Sequence, residues 1–210
     1  MEFNYFKNNI SKLIDISIGG LEAQFKLAPK LRVKPTEELL KKNNAKKAAV
    51  LSLFYPDKNN ETCFLLTLRA HYDGTHASQI SFPGGKFDPN DVNLENTALR
   101  ETYEEVGIDS KTISIFKQMT DVYIPPSNFI VTPFLGLVDY NPTFIKNHEV
   151  EELINVTLSD LLKKTSITKT ILNTSYAKNI SVPCFKFNNH IVWGATAMML
   201  SEIRDLLKHF

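Results

Sequence analysis

The sequence predicts an α/β protein of the α+β type, in which helices cover both faces of a mixed β-sheet and a helical extension precedes it. Three observations predict this fold. Apolar runs of strand length alternate with turn residues, several connections between them are as short as hairpins, and two longer segments carry apolar stripes of helical period. Because hairpins join antiparallel strands, a doubly wound parallel sheet fits less well.

The amino-terminal segment predicts a helix that docks on the body through one face. Its apolar residues recur every three or four positions, at Phe3, Phe6, Ile10, Leu13 and Ile14. The following stretch contains prolines and many lysines, which favours an irregular arm with one short helix over 36–42. We therefore expect an extension over residues 1–47, packed on a main domain over residues 48–210.

The main domain should begin with a strand, a turn and a second strand, over residues 48–54 and 62–68. The remaining predicted strands and helices interleave without internal repeats. They are strands over 80–82, 113–118, 129–138 and 149–156, a short helix over 159–163, a hairpin of 182–187 and 190–192, and a final helix over 195–208.

One helix has clear signals at both ends. Asn93 is a good N-cap, Glu95 suits the first turn, and Gly107 stands where a left-handed residue ends a helix. The predicted helix runs over residues 94–106.

Composition excludes several classes of function. The 210 residues carry a formal net charge of +1, so no global field attracts nucleic acid. Cys63 and Cys184 are far apart and fit neither a disulfide framework nor a zinc site, which favours a reducing compartment. Without a signal-peptide pattern or a membrane-spanning stretch, we expect a cytoplasmic protein that binds no membrane.

The helix over 94–106 concentrates acidic side chains. Glu101, Glu104 and Glu105 fall on one flank at helical spacing, and hard oxygen ligands of this kind suit Mg²⁺ or Mn²⁺. The opposite flank, Leu99, Thr102, Tyr103 and Val106, is expected to face the sheet. The alternative is an ordinary solvated helix face, in which Arg100 pairs with Glu104 at i, i+4.

A glycine and an acidic run connect this helix to a known family. Gly85 is followed at a distance by Arg100-Glu101-Thr102-Tyr103-Glu104-Glu105-Val106-Gly107-Ile108. This pattern resembles the Nudix box, a glycine followed by Arg-Glu-x-x-Glu-Glu-x-Gly-aliphatic. It departs in three ways: the spacing from Gly85 to Arg100 is one residue longer than usual, Val92 stands at the first glutamate position with Asp91 beside it, and Thr102 replaces an aliphatic residue.

Flanking segments resemble the coenzyme A pyrophosphatase branch of the Nudix family. They are residues 65–69, 76–85 and 97–101, with Asp88 and Asp91, and the resemblance covers about 48–158. It implies a Nudix-like α/β/α sandwich that hydrolyses the diphosphate of coenzyme A or acyl-CoA to adenosine 3',5'-bisphosphate and 4'-phosphopantetheine or its acyl derivative. The cofactor would be Mg²⁺ or Mn²⁺.

The resemblance also implies roles for individual residues. Glu101 and Glu105 match the principal metal ligands, with Glu104 and the Gly85 carbonyl as further ligands, and Arg100 matches the arginine that orients the cluster. The general base is open between Glu104 and the later acids, where Glu149 ranks ahead of Glu152. Plausible cation or hydrogen-bond partners of the substrate phosphates are Arg69, Lys86, His76, Lys41, Lys42, Lys46 and Lys47.

Other functions stay open at this stage. The box fixes the reaction and not the leaving groups, so another nucleoside diphosphate derivative, such as ADP-ribose or NADH, is the nearest alternative substrate. A non-catalytic module that binds a nucleotide is a second alternative, which the intact glutamates disfavour. An isomerase on this scaffold is more remote. The amino-terminal helix and arm are candidates for a homodimer contact.

Overall fold

The computed structural model describes residues 1–70, 79–172 and 179–210. The helices are α1 (Phe3–Ile14), α2 (Gly20–Phe25), α3 (Glu37–Lys42), α4 (Leu94–Val106), α5 (Leu158–Leu162) and α6 (Gly194–Leu207). The strands are β1 (Lys46–Pro56), β2 (Thr62–Arg69), β3 (Ile80–Ser81), β4 (Gly84–Lys86), β5 (Ser114–Gln118), β6 (Val122–Ile124), β7 (Phe129–Leu137), β8 (Val150–Thr157), β9 (Ile167–Leu172), β10 (Ile180–Phe187) and β11 (His190–Trp193). Short 3₁₀ turns cover Ser110–Thr112 and Lys164–Ser166.

The central sheet is mixed, as predicted. In the described ranges it contains eight strands, with β3, β2, β1, β7 and β5 in order, β4 paired with β1, β6 with β7, and β8 with β2. The β1–β7 pair is parallel, and the other pairs are antiparallel. A second sheet, β11-β10-β9, is a three-stranded antiparallel meander.

The side chains of β1 point alternately to the two faces of the sheet and so belong to two separate layers of the core. Ala49, Leu51, Leu53 and Tyr55 pack with the buried face of α4. Phe54, on the opposite face of the strand, packs in a larger cluster with residues of α1 and α6. Because side chains on a strand point alternately to its two faces, one continuous strand serves both layers. Helices therefore cover both faces of the sheet, which confirms the predicted sandwich.

The first helix joins the larger of these two clusters. Its Phe3, Phe6, Ile10 and Leu13 side chains are buried, as the apolar stripe predicts. At its carboxyl end the Lys117 ammonium donates to the carbonyl oxygens of Leu13, Ile14 and Ile16 at 2.7–2.9 Å. A cation at this position satisfies carbonyl groups that have no partner within a helix.

The predicted bounds of the acidic helix agree with the structure, but the predicted orientation of one of its side chains does not. The helix over 94–106 is confirmed with Asn93 as its N-cap and Gly107 at φ +76°. Among the side chains expected to face the sheet, Thr102 and Val106 are buried but Tyr103 is 59% exposed, so its placement was wrong. Glu105 takes that inward position instead. The described residues contain no helix long and apolar enough to cross a membrane.

Candidate active site

The site begins where two glycines of β4 run beside β1. Gly84 pairs with Val50 and adopts φ +150°. A Cβ on Gly84 would collide with the Ala49 carbonyl oxygen and would lie 2.6 Å from the Val50 Cα. Only glycine fits this conformation and this close approach. The turn therefore presents its backbone N–H directly to helix α4.

Glu101 lies on top of the second glycine. A Cβ on Gly85 would fall 2.5 Å from the Glu101 carboxyl carbon, so the missing side chain makes the space that the carboxylate occupies. Burial raises the pKa of Glu101, the Arg100 guanidinium opposes this shift, and the negative charges of Glu104 and Glu149 add to it. A carboxylate in these surroundings gains stability from a cation.

Glu105 is the most buried acid of the cluster, with 2% of its surface exposed. Its Oε2 accepts a hydrogen bond from the Gly84 N–H at 3.2 Å, and its Oε1 accepts one from Arg69 Nη1 at 3.3 Å. Burial raises its pKa to about 7, although Arg69 and the Gly84 N–H both favour the charged form. A buried carboxylate of this kind needs more positive charge to stay ionised near neutral pH.

Arg100 ties the helix to the loop before it. Its Nε and Nη2 donate to the two oxygens of Asp91, both at 2.9 Å, and Nη2 also donates to the Lys86 carbonyl at 3.1 Å. Its Nη1 donates to Glu101 at 2.8 Å and to Glu104 at 3.2 Å. The predicted pair with Glu104 is present, but it is one contact among five. Arg100 thus holds Glu101 in place from a fixed anchor.

The two candidate bases lie at the edge of this cluster. The side chain of Glu104 is 51% exposed and contacts Arg100. The side chain of Glu149 is 49% exposed and contacts Arg69 Nη2 at 3.4 Å. Glu152 instead pairs with His190 Nε2 at 3.1 Å. The structure therefore brings Glu149, and not Glu152, to the arginine that contacts Glu105.

The predicted substrate contacts are less closely grouped. Lys86 has an exposed side chain, and its backbone pairs with Ala48 in β1. Lys46 lies over the Phe129 ring at 6.0 Å, and Lys41 pairs with Glu37 at 3.7 Å on the exposed short helix α3. His76 lies outside the described residues. Among the predicted phosphate partners that the structure describes, Arg69 at the end of β2 contacts the acidic cluster.

The donor set is chemically suited to a divalent cation. Carboxylates are hard oxygen ligands, and the Glu101 carboxylate lies directly against the backbone of Gly85. Across the described ranges, no three acidic, histidine or cysteine side chains are grouped as a metal centre. Glu105 pairs with Arg69, and Glu101 and Glu104 pair with Arg100. The metal-ligand roles of Glu101, Glu104, Glu105 and Gly85 stay predictions.

Asp91 is an important residue of the site that the sequence analysis named but gave no role. Its Oδ2 also accepts hydrogen bonds from the Asp88 N–H at 3.0 Å and the Thr97 hydroxyl at 2.8 Å. The Arg100 guanidinium holds the pKa of Asp91 well below its usual range. Val92, at the expected glutamate position, is 87% exposed. The sequence did contain a signal for Asp91. Because the spacing from Gly85 to Arg100 is one residue longer than usual, the first acidic position of the pattern could fall at Asp91 instead of Val92.

Comparison with known proteins identifies the family. The model of the NUDIX domain matches residues 45–173. A Nudix hydrolase named NudL from Yersinia pestis (strain Pestoides F) is 34% identical over 144 residues, 68% of this chain and 71% of that protein.

Solved structures show the same fold. RenU, a Nudix hydrolase from M. smegmatis, has a TM-score of 0.55 at 15% identity, over 88% of this chain and 94% of that one. A MutT/nudix family protein from Enterococcus faecalis has a TM-score of 0.50 at 14% identity, over 99% of this chain and 75% of that one. These likenesses agree with the observed sandwich fold. The chain belongs to the Nudix hydrolase family.

Proposed function

We propose that this Nudix hydrolase cleaves the diphosphate of coenzyme A or acyl-CoA, with Mg²⁺ or Mn²⁺ as cofactor. The products are adenosine 3',5'-bisphosphate and 4'-phosphopantetheine or its acyl derivative. The substrate assignment rests on the coenzyme A pyrophosphatase resemblance at 65–69, 76–85 and 97–101. It is narrower than the family, whose members act on different nucleoside diphosphate derivatives.

One observation supports the diphosphatase chemistry most strongly. Glu105 is a nearly fully buried carboxylate, it lies on the same glycine turn as Glu101, and its pKa is raised to about 7 by burial. Two acids held this way cost the protein stability unless positive charge joins them. This loss of stability is explained if the two acids form a binding site for cations that in turn bind the anionic diphosphate.

Glu101 and Glu105 would hold the cation, together with Glu104 and the Gly85 carbonyl. When bound, the cation neutralises the anionic diphosphate oxygens and makes attack by water at phosphorus easier. Arg100 fixes the position of Glu101 through its anchor on Asp91. The position of this helix would therefore set where the diphosphate binds.

A half-exposed carboxylate would accept the proton of the attacking water. Glu104 and Glu149 are the candidates, because each reaches solvent and contacts an arginine of the cluster. The water oxygen forms a bond to one phosphorus, and the bond between that phosphorus and the bridging oxygen breaks. The bridging oxygen leaves with the other phosphate, so two phosphate monoesters form and one proton is released to the base.

Cationic side chains would bind the substrate phosphates beside this cluster. Arg69 would bind the diphosphate, a role that its contacts with Glu105 and Glu149 support. Lys86 would be a second cation partner of the adenosine phosphates. The 3'-phosphate would be served by Lys41, Lys42, Lys46 and Lys47, and His76 would bond a phosphate. A preference for coenzyme A over ADP-ribose would depend on such cations, since ADP-ribose lacks the 3'-phosphate.

The test is product analysis with separate substrates. Coenzyme A, acetyl-CoA, ADP-ribose and NADH are incubated with the protein and with Mg²⁺ or Mn²⁺, and phosphate monoesters are quantified. The proposal expects the highest kcat/KM on coenzyme A or its thioester. A preference for ADP-ribose or NADH would keep the reaction and overturn the substrate. No turnover of any of them would favour a nucleotide-binding module.

A further inference from the structure

Arg69 joins two acids that have different surroundings. It is the last residue of β2, and its side chain is 22% exposed. Nη1 donates to the buried Glu105 on α4, and Nη2 donates to the half-exposed Glu149 that precedes β8. The guanidinium thus extends from the interior of the site to its edge.

The register of the sheet fixes this bridge. Arg69 pairs with Val150 across the β2–β8 ladder, after an irregularity between Leu68 and Arg69. Next along the chain, the Ala70 N–H donates to the Glu149 carbonyl at 2.8 Å. Backbone pairing therefore holds Arg69 and Glu149 side by side, whereas Glu105 reaches them from helix α4.

Both distances are long for hydrogen bonds between ions. The contacts measure 3.3 Å to Glu105 and 3.4 Å to Glu149, whereas Arg100 binds Asp91 at 2.9 Å through two donors. Charge-assisted bonds between guanidinium and carboxylate are usually about 2.7–2.9 Å. Arg69 therefore neutralises Glu105 through a looser contact than the bidentate pair that fixes Arg100.

We propose that Arg69 is an exchangeable counter-ion, which neutralises Glu105 in the metal-free protein and gives up this contact when a divalent cation binds Glu105. The exchange keeps the buried carboxylate paired at every stage. It also turns the guanidinium toward the edge of the site, where the diphosphate of the substrate would arrive. Arg69 acts on the metal through Glu105, so it is a positioning residue in this step.

This inference rests on the proposed metal role of Glu105. It predicts that removing a side chain from the site increases the affinity for the metal. Arginine competes with the metal for one carboxylate, so its removal should tighten metal binding. A purely structural arginine would leave the affinity unchanged. An arginine that holds Glu105 in its ligand position while the metal is bound would weaken the affinity when removed.

The experiment measures Mn²⁺ binding to the full chain without substrate, by electron paramagnetic resonance of the free ion at mildly alkaline pH. Arg69→Gln should lower the Kd about five- to tenfold, because a positive charge beside the ligand is lost. Arg69→Lys keeps the charge and should stay within about twofold of wild type. Lys86→Gln removes a charge near the same glycine turn without the carboxylate contact, and it should also stay close to wild type.

An unchanged or higher Kd in Arg69→Gln overturns the exchange, as does an equal tightening in Lys86→Gln. If Arg69→Gln does not fold, a crystal structure of the wild type with Mg²⁺ decides instead. Arg69 Nη1 should then lie beyond hydrogen-bond reach of Glu105, and a distance that remains near 3.3 Å contradicts the exchange.

Failure of the metal proposal has a different signature. Wild type that binds no Mn²⁺, or Glu105→Gln that binds it as tightly as wild type, removes Glu105 as a ligand and overturns both proposals. Normal binding through Glu105 with no response to Arg69→Gln overturns only the exchange.

Discussion

The Arg100 guanidinium binds the Asp91 carboxylate with two donors, Nε to Oδ1 and Nη2 to Oδ2, each at 2.9 Å. The same guanidinium holds Glu101 at 2.8 Å. The loop before the acidic helix is therefore connected to a candidate metal ligand through one planar side chain. A guanidinium held on both edges has little freedom to reorient.

Asp91→Asn should lower both activity and stability. The neutral amide cannot accept from both Arg100 donors as a charged acceptor does, so Glu101 loses its fixed support. Outer contacts of this type are worth about 10- to 100-fold in activity or metal affinity. The unfolding free energy should fall by about 1–3 kcal/mol, since the partner arginine loses its charged acceptor.

Kinetics with coenzyme A and denaturant unfolding measure these two effects. Asp139→Asn is the matched control, because Asp139 forms an exposed ion pair with Lys7 at 3.1 Å. It should change the unfolding free energy by less than about 1 kcal/mol. Equal behaviour of the two variants would remove Asp91 from the account.

The Asp91 contact also predicts a dependence on acid pH. Arg100 depresses the pKa of Asp91 in the folded protein, so the carboxylate contributes stability above its ordinary pKa of about 4 and loses it as the pH falls toward the lower folded value. The stability difference between wild type and Asp91→Asn should therefore shrink from pH 7 to acid pH. Urea unfolding over this range measures it, and a difference that grows on acidification contradicts the assignment.

Glu105→Gln should lower turnover by about one hundredfold or more while the fold is retained, because one charged oxygen ligand is lost. The amide is neutral and buried, so the metal-free variant should unfold no more easily than wild type at mildly alkaline pH. Steady-state kinetics and thermal unfolding test this pair of effects. Glu95→Gln, an exposed position in the first turn of the same helix, should retain wild-type turnover.

Lys117→Met should destabilise the protein without changing the chemistry. The ammonium donates to three carbonyls at the end of α1, and the substitution leaves them without this partner. The expected cost is about 1–3 kcal/mol in the unfolding free energy, with kcat unchanged. Lys111→Met, at an exposed 3₁₀ turn, is the control. A loss of kcat equal to that of Asp91→Asn would connect α1 to the site and contradict this prediction.

Glu202 should be the acid whose loss costs most stability outside the site. It is fully buried in α6, and its carboxylate accepts from the Gly20 N–H, the Gln24 amide, and the Thr120 N–H and hydroxyl at 2.6–3.3 Å. Glu202→Ala leaves these donors without their acceptor, so we expect a loss of about 3 kcal/mol or more. Calorimetry checks it, with the exposed Glu22→Ala as control. A loss below that of the control contradicts the network.

The sequence predicted the acidic helix well because its ends are local. Asn93 as N-cap and Gly107 in the left-handed region depend on neighbouring residues only, and both are confirmed. The arrangement around Glu105 depends on residues that are far apart in the sequence: Arg69 at the end of β2, Gly84 in β4 and Glu149 just before β8. Helical spacing placed Glu101, Glu104 and Glu105 on one flank, but it could not show that Glu105 points inward or that Arg69 contacts it.

Two short elements were not predicted from the sequence. Helix α2 and strand β9 are short and lack a strong apolar periodicity. Helix α2 is stabilised by packing, and β9 by pairing with β10. The division into an extension over 1–47 and a hydrolase domain over 48–210 stays a prediction, as does the homodimer. The apolar stripe of α1 is already buried within the chain, so a dimer contact would have to use its outer face.

The most direct measurement is anomalous diffraction from a crystal soaked with Mn²⁺. The account predicts a manganese peak bonded to carboxylate oxygens of both Glu101 and Glu105, beside the Gly84–Gly85 turn. Manganese bound elsewhere, with these two carboxylates still paired to Arg100 and Arg69 alone, would contradict it.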